Sequence, residues 1–346
     1  MIDTTRVSNA TSLLVTGAAF VVIVAGMRAA GSIIVPFLLA IFLAVISAPP
    51  LFWLERKGIP RWLAMLIVLA AIVALGFGVT ALVGTSINSF SQEIPVYNAR
   101  LKEQFGGLIS WLSARGVQIS REQIFGYLNP GKAMQLVGDI FNSFGGVLTN
   151  AFLILVTVVF ILFEAHSFPQ KLRAVVDDPE TKLARFNQFS ENIKRYLAIK
   201  TLTSLGTGVG VGVWLTAVGV DYPVLWGLLA FLLNYVPNIG SIIAAVPTAL
   251  FTVVQLGPVS ALWVVVGFLV INIFFGTILE PRYMGRGLGL STLVVFLSLV
   301  FWGWVLGPVG MLLSVPLTMT LKIALGSHQE TQWIAVILGP ESEEAP

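Results

Sequence analysis

The sequence predicts an all-α polytopic membrane protein. It has about eight hydrophobic units, two of them interrupted helical hairpins or broken helices in the C-terminal half. Three observations predict it. Of 346 residues, 56% are apolar and only 11% are charged, under half the charged share of a soluble domain. Mean hydropathy is +0.90. The apolar residues gather into runs near 11–27, 32–54, 62–86, 146–165, 201–219, 222–256, 259–279 and 288–325. Runs of that length suit helices crossing a hydrocarbon core roughly 30 Å thick. The same composition excludes disordered, collagenous, coiled-coil and disulfide-scaffold chains.

The first run, 11–27, reads as a retained helix, because no small-x-small cleavage site follows it. It forms a tight hairpin with the second run near Arg28, and residues 1–86 make up the N-terminal membrane helices. Polar loops set the orientation. Segment 55–61 holds Arg56, Lys57 and Arg61 against Glu55, and 280–286 holds Glu280, Arg282 and Arg286. Segment 166–200 holds seven basic residues, ending at Lys200, and four acidic ones. Placing all three in the cytoplasm satisfies the positive-inside rule and puts the N-terminus there too. The net charge of +3 is then loop chemistry, with no nucleic-acid partner implied.

Segment 87–145 becomes an amphipathic extracytoplasmic arm. Ile94, Tyr97, Leu101, Phe105, Leu108 and Leu112 recur at helical steps. Pro95 suits a first turn, Ser120 and Gln123 a capping box, and Asn129-Pro130-Gly131 a turn before a long helix from about 132. The arm rests on lipid headgroups or packs on a neighbouring subunit. Residues 146–200 form a membrane helix and a cytoplasmic linker divided at Pro179, and 326–346 form a polar tail.

Residues 201–325 form a transport core. Neither 222–279 nor 287–321 contains a charged residue. A helix over 222–236 would be only about 22 Å long, and Pro237 disfavours continuing it. Gly240 and the flanking Asn234 and Asn238 allow a non-helical turn. A break inside a membrane needs polar partners, because each unpaired peptide group costs several kcal/mol. Asn234, Asn238 and Ser241 supply such partners, as does water in a cavity, and transporters place binding sites at such breaks. The second unit turns at Gly307-Pro308 and is broken again at Pro316, with Thr318 beyond. Two hairpins of a weak internal repeat, or two Pro-kinked spanning helices, both fit. Gly206, Gly208, Gly210 and Gly212 suit close helix packing or a sliding surface.

Other chemistries are poorly supplied. Absence of Cys excludes thiol and disulfide chemistry. His166 and His328 both lie in polar flanks, which argues against a histidine metal site or a Ser-His-Asp enzyme. Asp177, Asp178 and Glu180 read as helix-start residues rather than metal ligands. Gly285 to Gly289 lacks the Lys-Ser/Thr of a P-loop. No metal or cofactor is expected. Asn272 lies mid-span and bonds neighbouring helices or lines a path. Glu280 and Arg282 form a local ion pair beside Pro281, or a gate or coupling site with Arg286. Glu164 ends the fourth unit near hydrophobic depth, and Asp221 reads as a helix start.

The run Asn234 to Ser241 (NYVPNIGS), the run Leu279 to Ser291 (LEPRYMGRGLGLS) and Phe301 to Gly310 (FWGWVLGPVG) through Pro316 resemble signatures of the autoinducer-2 exporter family of bacterial inner-membrane proteins. Ile34-Val35-Pro36-Phe37 fits as well, while 87–145 and the tails match loosely. The resemblance implies an eight-helix-type transporter acting in the inner membrane. Some members export the quorum-sensing signal autoinducer-2; others are described as sodium or lithium/proton antiporters or permeases. It also implies a homo-oligomer, a pentamer in the exporter branch, with an elevator-like movement. The motif positions become parts of the transport element. The lining available from Asn234, Asn238, Ser241, Asn272 and Thr318 carries no fixed charge, which suits a small polar, hydroxyl-rich signal better than an ion. An antiporter needs a titrating carboxylate, for which only Glu164 and Glu280 are near. A scaffold without transport has no use for costly broken helices.

Overall fold

The computed structural model describes residues 9–114, 135–136, 138–140, 142, 150–175, 179–237, 239–284, 289–326 and 329–340. Among them there are helices and no strands. The order is α1 (Asn9–Ala29), α2 (Gly31–Arg56), α3 (Arg61–Ala114), α4 (Ala151–Val175), α5 (Pro179–Val218), α6 (Pro223–Leu233), α7 (Gly240–Leu256), α8 (Pro258–Asn272), a π-helix (Ile273–Leu279), α9 (Glu280–Met284), α10 (Thr292–Gly326) and α11 (Gln332–Ile337). Five stretches are long and apolar enough to cross a membrane, in α2, in α3, in α5, over Pro258–Tyr283 and in α10. Large apolar side chains face outward along them, such as Phe77, Val259 and Leu293. That is an all-α polytopic membrane protein, as composition predicts.

Both interrupted units are hairpins. Hairpin 1 pairs α6 with α7, and Trp226 and Phe251 meet across it with ring centroids 5.5 Å apart. Hairpin 2 lies within α10, where Gly307 takes φ 69° and ψ −155°, a region open essentially to glycine alone. The Trp302 Nε1 donates to Thr318 Oγ1 at 2.9 Å across that turn. On a straight helix those residues would stand about 24 Å apart, so the chain has doubled back. A Cβ on Gly310 would meet the Trp302 carbonyl oxygen, which closes the turn to larger residues.

Three local expectations change. The amphipathic arm is not a separate helix: α3 runs unbroken for 54 residues, about 81 Å, with Pro95 inside it rather than in a first turn. α1 touches α2 only around their junction at Ala30 and otherwise meets hairpin 2, so the two form a bend rather than a tight hairpin. Pro179 does mark a boundary, but α4 continues to Val175 before it. The capping box at Ser120, the turn at Asn129 to Gly131, and Asp177 and Asp178 lie outside the described residues.

Packing divides the bundle. α5 packs chiefly on α6, and α8 on α7 and α5. Alternate glycines explain the closeness. A Cβ on Gly208 would meet Phe231 and the Gly227 carbonyl of α6, and one on Gly206 would meet the Phe275 ring of the π-helix. Adjacent faces of α5 thus receive two partners, and close packing is the role these glycines fill. α2 packs on α4 and hairpin 2. Tyr235 in the hairpin 1 turn and Leu312 and Leu313 of hairpin 2 join one hydrophobic core with Phe42 of α2.

Candidate functional site

Five buried polar residues, Lys200, Thr203, Ser204, Thr207 and Asn234, gather where the turn of hairpin 1 meets α5. α6 ends at Leu233 because Pro237 resists helical continuation. The freed backbone groups are then bonded locally. Asn234 N–H donates to Ala230 C=O at 2.9 Å, Val236 N–H to Leu233 C=O at 2.8 Å, and Gly240 N–H to Val236 C=O at 3.2 Å. Gly240 is demanded by space rather than by its dihedral angles, since a Cβ there would strike the Leu233 carbonyl oxygen.

Two side chains of the turn reach α5. Asn234 is buried and its Nδ2 donates to Ser204 Oγ at 3.0 Å. The Tyr235 hydroxyl donates to Thr201 Oγ1 at 2.9 Å. Phe42 and Phe231 stand edge-on to the Tyr235 ring at 5.7 and 5.6 Å, fixing its direction. Thr203 and Thr207 lie on the same buried side of α5, each bonded to a carbonyl of its own helix.

Below this turn sits an ion pair. Lys200 Nζ is 2.9 Å from both carboxylate oxygens of Glu280. The Lys200 side chain is 5% exposed and that of Glu280 16%. A buried pair of this kind offsets its desolvation only when both partners stay in place. The π-helix delivers Glu280. Pro281 cannot donate to the Thr277 carbonyl and would crowd it in a regular α-helix. Widening the preceding turn relieves that contact, and Glu280 N–H instead reaches the Phe275 carbonyl, five residues back. π-turns of this sort recur at functional sites.

The predicted residues fare unequally. Asn234, Pro237, Gly240, Ser241 and Glu280 stand around or beside this turn, with Ser241 half-buried on the first turn of α7. Asn272 ends α8 and its Oδ1 leans toward Gly276 within the π-turn. Glu280 pairs across the bundle with Lys200 rather than locally with Arg282, which is exposed. Pro308, Pro316 and Thr318 belong to hairpin 2, where Thr318 is already bonded to Trp302 and Pro316 is buried. Glu164 lies on the surface, in an exposed pair with Lys171 at 2.7 Å. Asn238 and Arg286 lie outside the described residues. Among the described residues no group of three His, Asp or Glu is placed to hold a metal ion.

Lys200, Thr201 and Ser204 were not singled out by the sequence reading, which counted Lys200 as one more charge of a solvated linker. Their signal is the spacing of Lys200, Thr203, Ser204 and Thr207, a polar stripe on one helical face at the start of an apolar run.

Chemically, the site offers amide and hydroxyl groups in an apolar shell beside a charge-neutral ion pair. Among its described residues there is no arrangement of nucleophile and base.

A family model described as AI-2E family transporter matches residues 18–329. The AI-2 transport protein TqsA of Escherichia coli is 43% identical over 324 residues, covering 94% of each chain. A Haemophilus influenzae protein provisionally named as a transport protein is 41% identical over 328 residues, covering 93% of this chain and 94% of its own.

Proposed function

The chain belongs to the AI-2E family of transporters, and from that premise we propose that it exports a small, neutral, hydroxyl-rich signal of the autoinducer-2 type by alternating access. Membership makes it a membrane transporter and not an enzyme. The reading of the substrate rests on one observation. The buried groups at the hairpin 1 turn, Asn234 with Ser204 and Tyr235 with Thr201, are uncharged, and the one carboxylate beside them is neutralised by Lys200. These amides and hydroxyls can exchange their present bonds for bonds to a neutral polyol, and among the described residues no unpaired charge stands there for a bare ion.

The setting is the bacterial inner membrane, with the basic loops and the N-terminus in the cytoplasm. In that orientation hairpin 1 opens from the outer side and hairpin 2 from the inner side, since α5 leads outward to hairpin 1 and α8 returns to Glu280. Lys200 and Glu280 then close the inner end of the path. A homo-oligomer, a pentamer by family resemblance, completes the reading.

Sodium or lithium/proton antiport is favoured by a different feature, the burial of Glu280. It requires Glu280 to leave Lys200 and titrate during the cycle. The two readings separate in inside-out vesicles holding the purified protein. Saturable uptake of labelled autoinducer-2 supports export. Sodium-dependent proton movement without such uptake, abolished by Glu280→Gln, supports antiport.

A further inference from the structure

α1 and hairpin 2 leave a cleft between them that the hairpin 1 site does not use. Its volume is about 490 Å³, and its walls are Phe20, Val21, Val24 and Ala25 of α1 with Phe301 and Trp304 of hairpin 2. Two contacts close its ends. Phe20 stacks on Phe301 with ring centroids 6.3 Å apart, and the Arg28 guanidinium lies 4.7 Å from the centroid of the Trp304 ring. Phe20 and Arg28 are eight residues apart on α1, so the two ends stand about 12 Å apart.

The sequence of α1 makes the hollow. Val21, Ala25 and Ala29 follow one another at steps of four along one helical face, and the two alanines are too short to fill the space beside hairpin 2. Val24 is buried in a small core with Trp302, Val305 and Leu306. Phe20, Val21, Ala25 and Trp304 are exposed, so the hollow opens sideways, toward hydrocarbon.

The charge at its end gives the hollow a preference. Arg28 is exposed, and among the described residues it forms no ion pair with Asp or Glu. The indole takes one flat face of the guanidinium. The N–H groups lie in the guanidinium plane, in a fork that matches two phosphate oxygens. The apolar segment Leu14–Ala29 ends here, and Arg and Trp at the end of such a segment sit at headgroup level. An apolar groove with a cation at its end has the polarity of an anionic lipid, acyl chain along the helix and phosphate at the guanidinium. A zwitterionic lipid brings a second cation beside Arg28. We propose that this cleft binds one anionic glycerophospholipid, its acyl chain between α1 and hairpin 2 and its phosphate on Arg28, and that the lipid fastens α1 to hairpin 2.

Lys57 supplies the control, because it is also an exposed cation over an indole, 3.8 Å from the centroid of the Trp53 ring and away from this cleft. Native mass spectrometry of the full-length protein in detergent, with limiting phosphatidylglycerol or phosphatidylcholine added, reads the lipid retained per chain. The parent is expected to retain phosphatidylglycerol in preference. Arg28→Met, which keeps a contact with Trp304, is expected to lose about tenfold in phosphatidylglycerol affinity and to hold phosphatidylcholine as the parent does. Ala25→Trp, which fills the hollow from an exposed position, is expected to lose both lipids, and Lys57→Met neither. Equal retention of the two lipids by the parent overturns the site, as does a loss in Lys57→Met equal to that in Arg28→Met. Parent-like phosphatidylglycerol binding in Ala25→Trp overturns it too, and a smaller assembly in that variant would then give the cleft to a neighbouring copy of the chain. If Ala25→Trp does not fold, Arg28→Met decides the matter, and parent-like phosphatidylglycerol binding there overturns the proposal.

Discussion

Lys200 and Glu280, 80 residues apart in the chain, are joined by one Nζ lying 2.9 Å from both carboxylate oxygens. The pair ties α5 to the end of the π-helix beside the hairpin 1 turn. Removing either partner leaves the other charge buried alone, at a cost of about 3–5 kcal/mol. Glu280→Gln is therefore expected to lower unfolding stability by about that amount. The double variant Lys200→Met with Glu280→Met is expected to regain most of it. Chemical denaturation in micelles checks this, and equal losses in the single and double variants would contradict the pairing.

Asn234 and Ser204 are joined by one buried hydrogen bond. Asn234→Ala leaves the Ser204 hydroxyl unsatisfied and is expected to cost about 1–3 kcal/mol. Adding Ser204→Ala is expected to cost little more, because both partners are then gone. A double-mutant cycle on thermal unfolding reads this coupling directly, and additive losses would show that the two groups act independently.

Gly240 and Gly307 shape the two turns for different reasons. Gly240→Ala places a methyl against the Leu233 carbonyl and is expected to abolish a folded turn. Gly307→Ala meets no neighbour but strains φ 69°, at a cost of about 1–3 kcal/mol. Gly17→Ala, in open space on α1, serves as the control. Yield of monodisperse protein and melting temperature are expected to rank Gly17→Ala, then Gly307→Ala, then Gly240→Ala.

Pro281 is the residue that opens the π-turn. Pro281→Ala restores a donor and removes the crowding at Thr277, so the segment is expected to tighten to a regular helix and turn Glu280 away from Lys200. Hydrogen exchange at Glu280 and its neighbours is expected to slow while denaturant stability falls toward that of Glu280→Gln. A variant as stable as the parent would sink this account of the π-turn.

Much of this architecture is legible in the sequence because lipid imposes simple rules. A charge-free run interrupted by Pro237 and Gly240, and another interrupted at Gly307-Pro308, must break or kink there, and the fold resolves that choice in favour of hairpins. Lys200 was less legible, since a basic residue at the start of an apolar run looks like a loop charge until its distant partner is known. Its pairing with Glu280 depends on a π-turn that no periodicity announces. The contact between Tyr97 and Asp221, 2.9 Å between oxygens, was hidden for a related reason. α3 runs straight through Pro95, and only the tertiary fold brings its far turn to the base of hairpin 1.

The central claim is that the neutral turn of hairpin 1 binds the exported solute. The most direct test is uptake of labelled autoinducer-2 into inside-out vesicles by the parent protein and by Asn234→Ala, at matched amounts of inserted protein. The account predicts saturable uptake by the parent and a loss of about tenfold or more in Asn234→Ala, equivalent to about 1.4 kcal/mol of binding free energy. Equal uptake by the two proteins, with Asn234→Ala folded and inserted, would contradict it.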